Sequence, residues 1–243
     1  MIQTVIFDMD GVLIDSEPLW KIAMEEVFSA HGSKLTKQDF QKTVGLRIDE
    51  VVVYWHRHEG WKNVSPKQVE QEIVLQMVEL VRTNATPLIG VIDTLKFLKS
   101  KGKRIGLATS SYEILVRTVL KELQIESYFD FTHSAEFEAY GKPHPAVYLT
   151  VAERLGIDPT YCLVVEDSLN GIISAKAARM KVVCIPEKTH HPEPKLIIAD
   201  YQYDSMGEML KDLLNFAIVG CSDEQKIPLV AIRSVDKMEQ SQD

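Results

Sequence analysis

Cysteine is scarce in this chain of 243 residues: Cys162, Cys184 and Cys221 make an odd set with no C-x-x-C spacing. That argues against a disulfide framework or a zinc site and reads as reduced thiols in a cytoplasmic protein, with Cys162 and Cys184 as filler in apolar runs. A long basic run is also missing, and 27 Lys and Arg against 35 Asp and Glu leave a formal charge of −8. Nucleic acid and an anionic membrane are therefore not expected as partners, and an anionic ligand must be met locally. No stretch is apolar for long enough to span a bilayer, and charges interrupt the first apolar run, so no membrane partner is expected. No internal repeat is found. At 45% apolar residues the chain can bury a core as one domain or two modest ones, and we expect a monomer.

What is present falls into two patterns. After a first strand at Val5-Ile6-Phe7, Pro18 marks a helix start, Trp20, Ala23, Met24, Val27 and Phe28 follow at helical spacing, and His31-Gly32 closes the segment. Further helices are predicted at about Lys37 to Val44, Asp49 to His58 and Pro66 to Arg82, the last carrying Val69, Ile73, Met77 and Leu80 on one face. From about residue 84 short strands alternate with helices: Arg104 to Thr109, Phe129 to His133, Cys162 to Glu166, Val182 to Ile185 and Tyr201 to Tyr203, with helices from roughly 90, 111, 144, 169 and 205. This is the pattern of an α/β fold, a Rossmann-like parallel sheet flanked by helices, with a small all-helical domain inserted. The expected division is 1–15 and 84–217 as the α/β core, 16–83 as the insert, and 218–243 as a tail with an apolar island at Ile227 to Ile232.

Four strand ends carry chemistry. Phe7-Asp8-Met9-Asp10-Gly11 closes the first strand with two carboxylates on one side. Their repulsion is relieved by a divalent cation such as Mg2+, after which one carboxylate can attack phosphorus and the other protonate the departing oxygen. Alone, the string reads equally well as a strand ending in a turn. Thr109-Ser110-Ser111 offers hydroxyls and free N–H groups for an anion, although by itself an N-cap is the better reading. Tyr140-Gly141-Lys142-Pro143-His144-Pro145 holds a lysine at a loop mouth, suited to phosphate as a point charge, where the plainer alternative is a solvated side chain. His144, set among prolines, is read as structural. Glu166-Asp167-Ser168 brings further acids to a strand end, able to complete a metal site with Asp8 or merely to cap the next helix. Nucleophile, acid, hydroxyl, lysine and metal ligands together are the parts phosphoryl transfer requires.

With F-D-x-D-G-V-x-x-D-S-E, the strand-end Thr, G-K-P and E-D-S-x-x-G in this order, the chain resembles the haloacid dehalogenase superfamily over about residues 1 to 217. D-S-E-P-L-W and G-L-R-I-D-x-V-V give a closer likeness to its 2-deoxyglucose-6-phosphate and hexitol phosphatases, and the helical insert looks like that superfamily's small cap. The resemblance implies a phosphatase acting on a small phosphorylated sugar or polyol. Asp8 is then the nucleophile, and Asp10 the acid and later the base. Thr109, Ser110 and Lys142 hold the phosphoryl group. Mg2+ sits on Asp8, the Asp10 carbonyl and Asp167, with Glu166 direct or through water. Gly45 and Arg47 come from the cap as substrate contacts, and Asp15 and Glu17 near the hinge are read as fixing the loop. Trp20 is read as a core anchor in preference to a wall against the sugar. A phosphomutase resembling beta-phosphoglucomutase shares these motifs but has a histidine where this chain has Trp20. A non-catalytic regulatory module is the third reading, disfavoured because no acid is missing.

Overall fold

Alternate residues of the strands face opposite ways, and in this chain both sets are apolar, so the sheet must be covered on both faces. The computed structural model describes residues 2–36, 38–43, 46–186 and 194–219. Six parallel strands, β1 (Thr4–Phe7), β2 (Arg104–Thr109), β3 (Phe131–Ser134), β4 (Cys162–Glu166), β5 (Lys181–Cys184) and β6 (Tyr201–Gln202), lie in the order β3-β2-β1-β4-β5-β6. Val5, Phe7, Leu163 and Val165 enter one buried cluster with Leu95, Leu98, Leu115 and Val119, which come from α4 (Val91–Ser100) and α5 (Glu113–Glu122). Ile6, Cys162, Val164 and Cys184 face the other way, against α6 (Ala146–Arg154) and α7 (Leu169–Ala177). Cys162 and Cys184 are buried free thiols, as filler should be. A last helix, α8 (Met206–Val219), packs beside α4. The Rossmann-like architecture is as the sequence implies, although β3 begins two residues later than expected.

Between β1 and α4 the described chain is helical: α1 (Glu17–Ala30), a 3-10 turn at Asp39–Thr43, α2 (Ile48–Glu59) and α3 (Pro66–Asn84). The expected helix from Lys37 to Val44 is thus only a short 3-10 turn among the described residues. α3 starts with a reciprocal cap, Ser65 Oγ accepting from Gln68 N–H while the Gln68 side chain returns to the Ser65 N–H. Its buried stripe is Val69, Ile73, Val74, Met77, Val78 and Val81, with Leu80 only half-buried. The chain leaves and rejoins the sheet layer at adjacent points, where Ile14 pairs with Pro87 and the Leu88 N–H donates to the Leu13 carbonyl at 3.0 Å. Val44 and Gly45, Cys221 and the apolar island at Ile227 to Ile232 lie outside the described residues.

Close approach of α6 to the sheet depends on Gly106 in β2, where a Cβ would stand 2.7 Å from Val151 Cγ1. Gly106→Val should therefore lower stability by about 1–3 kcal/mol, the usual cost of overpacking a filled core. Urea unfolding of the variant checks this, and an unchanged midpoint would show that α6 can yield.

Candidate active site

The ends of β1 and β4 stay in register past the strands, the Asp8 N–H donating to the Val165 carbonyl at 3.0 Å, so Asp8 lies beside Glu166 and Asp167. Gly11 then turns the chain at φ 70°, directly over Asp167. A Cβ at Gly11 would collide with the Asp167 carboxylate, so glycine is required both for the backbone angle and for the approach.

Lys142 is the buried centre of the group. Its ammonium donates to Asp8 Oδ1 at 3.0 Å, to Glu166 Oε1 at 2.7 Å and to the Ala108 carbonyl at 3.1 Å, and it lies 4.8 Å from the centre of the Tyr148 ring. Far from the solvated side chain of the plainer reading, it is 7% exposed. Burial works against its charge, but Asp8 and Glu166 outweigh burial and hold the ammonium above its usual range. Glu166 is wholly buried and its oxygens are engaged: Oε1 accepts from Lys142 and the Tyr148 hydroxyl, Oε2 from the Asp167 and Ser168 N–H groups and the Ser168 hydroxyl. Burial opposes its ionisation too, and the Lys142 charge prevails, leaving the carboxyl below its usual range. Burial pushes Asp8 up to about 7, with Glu166 and Asp10 adding to the rise and Lys142 opposing it. Asp167 is raised well above the carboxylate range by burial and by the charges of Glu166 and Asp8.

Asp10 is gripped from two sides. Its Oδ1 accepts from Ser16 Oγ at 2.5 Å and from the Trp20 indole N–H at 3.1 Å, and its Oδ2 from Ser111 Oγ at 2.6 Å, with Thr109 Oγ1 farther off at 3.5 Å. The cap that Thr109 to Ser111 suggest when taken alone is not formed: the N-cap of α5 is Tyr112 without a side-chain bond, and Thr109 Oγ1 accepts from the Ser111 N–H. Trp20 packs half-buried against the core, and its indole N–H, its one polar atom, is directed to Asp10. Ser16 stands at the N-cap of α1 yet makes no capping bond, its hydroxyl being turned to Asp10.

Asp8, Asp10, Trp20, Arg47, Thr109, Ser110, Lys142 and Asp167 all line one cleft of about 190 Å3, and Asp15 and Glu17 share its rim. Glu166 lies beneath it. Arg47 reaches from the N-cap of α2 across Gly141, donating to the Ala135 carbonyl at 3.3 Å and to Asp49 at 2.8 Å, while its buried Nε has no partner among the described residues. His144 is structural, its Nδ1 accepting from the Ala146 N–H. Ser168 caps α7 through the Gly171 N–H, and Gly45 is outside the described residues. The sequence reading missed Tyr148 and the contacts of Ser16 and Ser111 with Asp10. A hydroxyl just before a helix was the available signal for the two serines, but it looks the same as an ordinary cap.

A family model described as haloacid dehalogenase-like hydrolase matches residues 2–179. Hexitol phosphatase B of Escherichia coli strain K12 is 39% identical over 215 residues, covering 88% of this chain and 97% of its own. Among solved structures, CbbY from Rhodobacter sphaeroides in complex with phosphate is similar at a TM-score of 0.79 and 25% identity, over 86% of this chain and 96% of that one. The beta-phosphoglucomutase of Clostridium difficile gives 0.74 and 25% identity, over 90% and 100%.

The raised Asp8 predicts a pH-dependent effect on stability. Ionised in the folded state only above about 7, against 3.8 ordinarily, Asp8 costs stability that grows as pH rises from about 4 and is complete above about 7. In chelator-treated protein, Asp8→Asn should raise Tm more at pH 8 than at pH 5. A gain that is equal at both, or larger at pH 5, would contradict a raised Asp8.

Proposed function

The chain belongs to the haloacid dehalogenase-like hydrolase family, and we propose that it is a Mg2+-dependent phosphatase of small sugar or polyol monophosphates, working through an aspartyl-phosphate on Asp8. The observation that carries this reading is the Asp8 carboxylate, held on one oxygen by a buried lysine at the floor of the cleft that Asp10 also lines. The donor set suits the metal. Asp8, Glu166 and Asp167 offer hard oxygens within 4.8 Å of one another, and Lys142 alone does not balance their charge. Asp8, Asp167 and the Asp10 carbonyl would hold the ion, with Glu166 behind them, engaged with Lys142. Bound there, Mg2+ supplies positive charge against the phosphoryl oxygens and lets the carboxylates stay ionised.

In the first half of the reaction an Asp8 oxygen bonds to phosphorus as the bond to the sugar oxygen breaks, and Asp10 delivers its proton to that leaving oxygen. In the second half Asp10 takes a proton from water as the water oxygen bonds to phosphorus and Asp8 is released. Lys142, Thr109 and Ser110 bind phosphoryl oxygens as charge develops. Residues 16–83 act as a cap over a core of 1–15 and 84–217, and Arg47, which lines the cleft and whose Nε has no partner among the described residues, contacts the substrate from the cap side. The 39% identity to a full-length hexitol phosphatase supports the polyol or sugar reading. A phosphomutase is the second reading, favoured by the likeness to a beta-phosphoglucomutase.

Turnover of hexose and hexitol monophosphates should stop in EDTA and return with Mg2+, and Asp8→Asn should lose at least a thousandfold, on the order of a deleted nucleophile. Undiminished activity in EDTA, or near wild-type turnover by the Asn variant, would refute the mechanism. Phosphate release should exceed isomerisation of glucose 1-phosphate, and the reverse would favour the mutase. Arg47→Ala should lower kcat/KM on sugar phosphates about tenfold while sparing acetyl phosphate, which gives the cap little to grip. Equal losses on both would make Arg47 structural or a contact of the transferring group.

A further inference from the structure

Among the described residues, Trp20 is the one aromatic side chain whose hydrogen-bonding atom is spent on a reacting group of the proposed mechanism. Its neighbours on α1, Leu19, Ala23, Met24, Val27 and Phe28, are buried, whereas Trp20 is half-buried, lines the cleft, and directs Nε1–H to Asp10 Oδ1 at 3.1 Å. Indole has one donor and no acceptor, so this contact can only hold an oxygen lone pair. Ser16, next to the same helix, takes the same oxygen at 2.5 Å, and Ser111, from the loop after β2, takes Oδ2 at 2.6 Å. The plane of the Asp10 carboxylate is thereby set jointly by the helical insert and the sheet layer. An aromatic needed only for packing, or only as a wall, would be served by phenylalanine.

We propose that Trp20 is a positioning residue for proton transfer, its N–H fixing Asp10 in the orientation from which it serves the leaving oxygen of a sugar or polyol phosphate. The inference rests on the phosphatase reading above. As the Asp8 oxygen bonds to phosphorus and the phosphorus–sugar oxygen bond breaks, the Asp10 proton goes to the sugar oxygen, completing a neutral hydroxyl. That delivery tolerates little misplacement of the donor. A leaving group that departs as a stable anion needs no such proton, and p-nitrophenolate is one.

The experiment compares full-length wild type, Trp20→Phe and Trp20→His with Mg2+, on a hexitol monophosphate and on p-nitrophenyl phosphate, with thermal unfolding of each. Trp20→Phe keeps the aromatic face and deletes the donor. Its kcat/KM on the hexitol phosphate should fall on the order of tenfold, through kcat with KM within about twofold, while kcat/KM on the aryl ester stays within about twofold. Histidine Nε2 occupies the same place in its five-membered ring as indole Nε1, so Trp20→His should recover most of the loss above pH 7. Equal losses on both esters, a rise confined to KM on the hexitol phosphate, or no change would overturn the proposal. If Trp20→Phe fails to fold, Trp20→His is read in its place: turnover of both esters near wild type supports the proposal, and equal losses on both overturn it. A wild type that hydrolyses neither ester would defeat the phosphatase reading and this inference with it, whereas a wild type active on both isolates the role of Trp20.

Discussion

One ammonium shared between two buried carboxylates organises this molecule. Lys142 bridges Asp8 and Glu166 at side-chain exposures of 4%, 10% and 0%, and breaking such a pair by removing one partner strands a charge in a medium that cannot solvate it. Glu166 can anchor the lysine because its remaining lone pairs are taken by the Tyr148 hydroxyl and the start of α7. Gly171 is needed for the same reason, since a Cβ there would collide with the Glu166 carboxylate. Asp8 lines the cleft, and no hydrogen bond to its other oxygen is found among the described residues, while ionising Asp167 beside Asp8 and Glu166 would leave more negative charge than Lys142 alone balances. In the proposed mechanism a divalent cation would supply the positive charge that this cluster, and an anionic phosphoryl group beside it, require.

The sheet makes this arrangement possible. With both faces covered by helices, the inner strands β1, β2 and β4 carry apolar runs, and their neighbouring carboxyl ends deliver polar residues to one place. The helical insert leaves and returns at adjacent points on that rim, so Ser16 and Trp20 come to Asp10, and Arg47 comes to the loop ahead of Lys142. The cleft is thus closed by groups that also touch its chemistry.

The parts legible in the sequence are those written as periodicity or as unlike neighbours. The apolar runs of β1 and β4, the α3 stripe and the acids following apolar strands all carry such patterns, and Asp8, Thr109, Lys142 and Asp167 do meet. Side-chain direction is harder to read. Trp20 fits an apolar helical stripe by spacing, yet lies at its edge, where its ring can pack and its N–H still reach Asp10. The Ser111 and Ser16 hydroxyls stand where caps stand, and are drawn away by the Asp10 carboxylate. Tyr148 is core, but its hydroxyl is part of the Lys142 group. Local propensity sees the backbone, and these partnerships are set by tertiary neighbours.

The central claim is that Asp8, with Lys142 on one oxygen, takes the phosphoryl group on the other. Its most direct test is a rapid acid quench of Asp10→Asn protein mixed with Mg2+ and p-nitrophenyl phosphate, whose leaving group needs no proton while release from Asp8 still lacks its base, followed by borohydride reduction and peptide mass spectrometry. The account predicts homoserine at position 8 in substrate-treated protein and none without substrate. Phosphate release with position 8 unmodified, or with the label on another carboxylate, would contradict it.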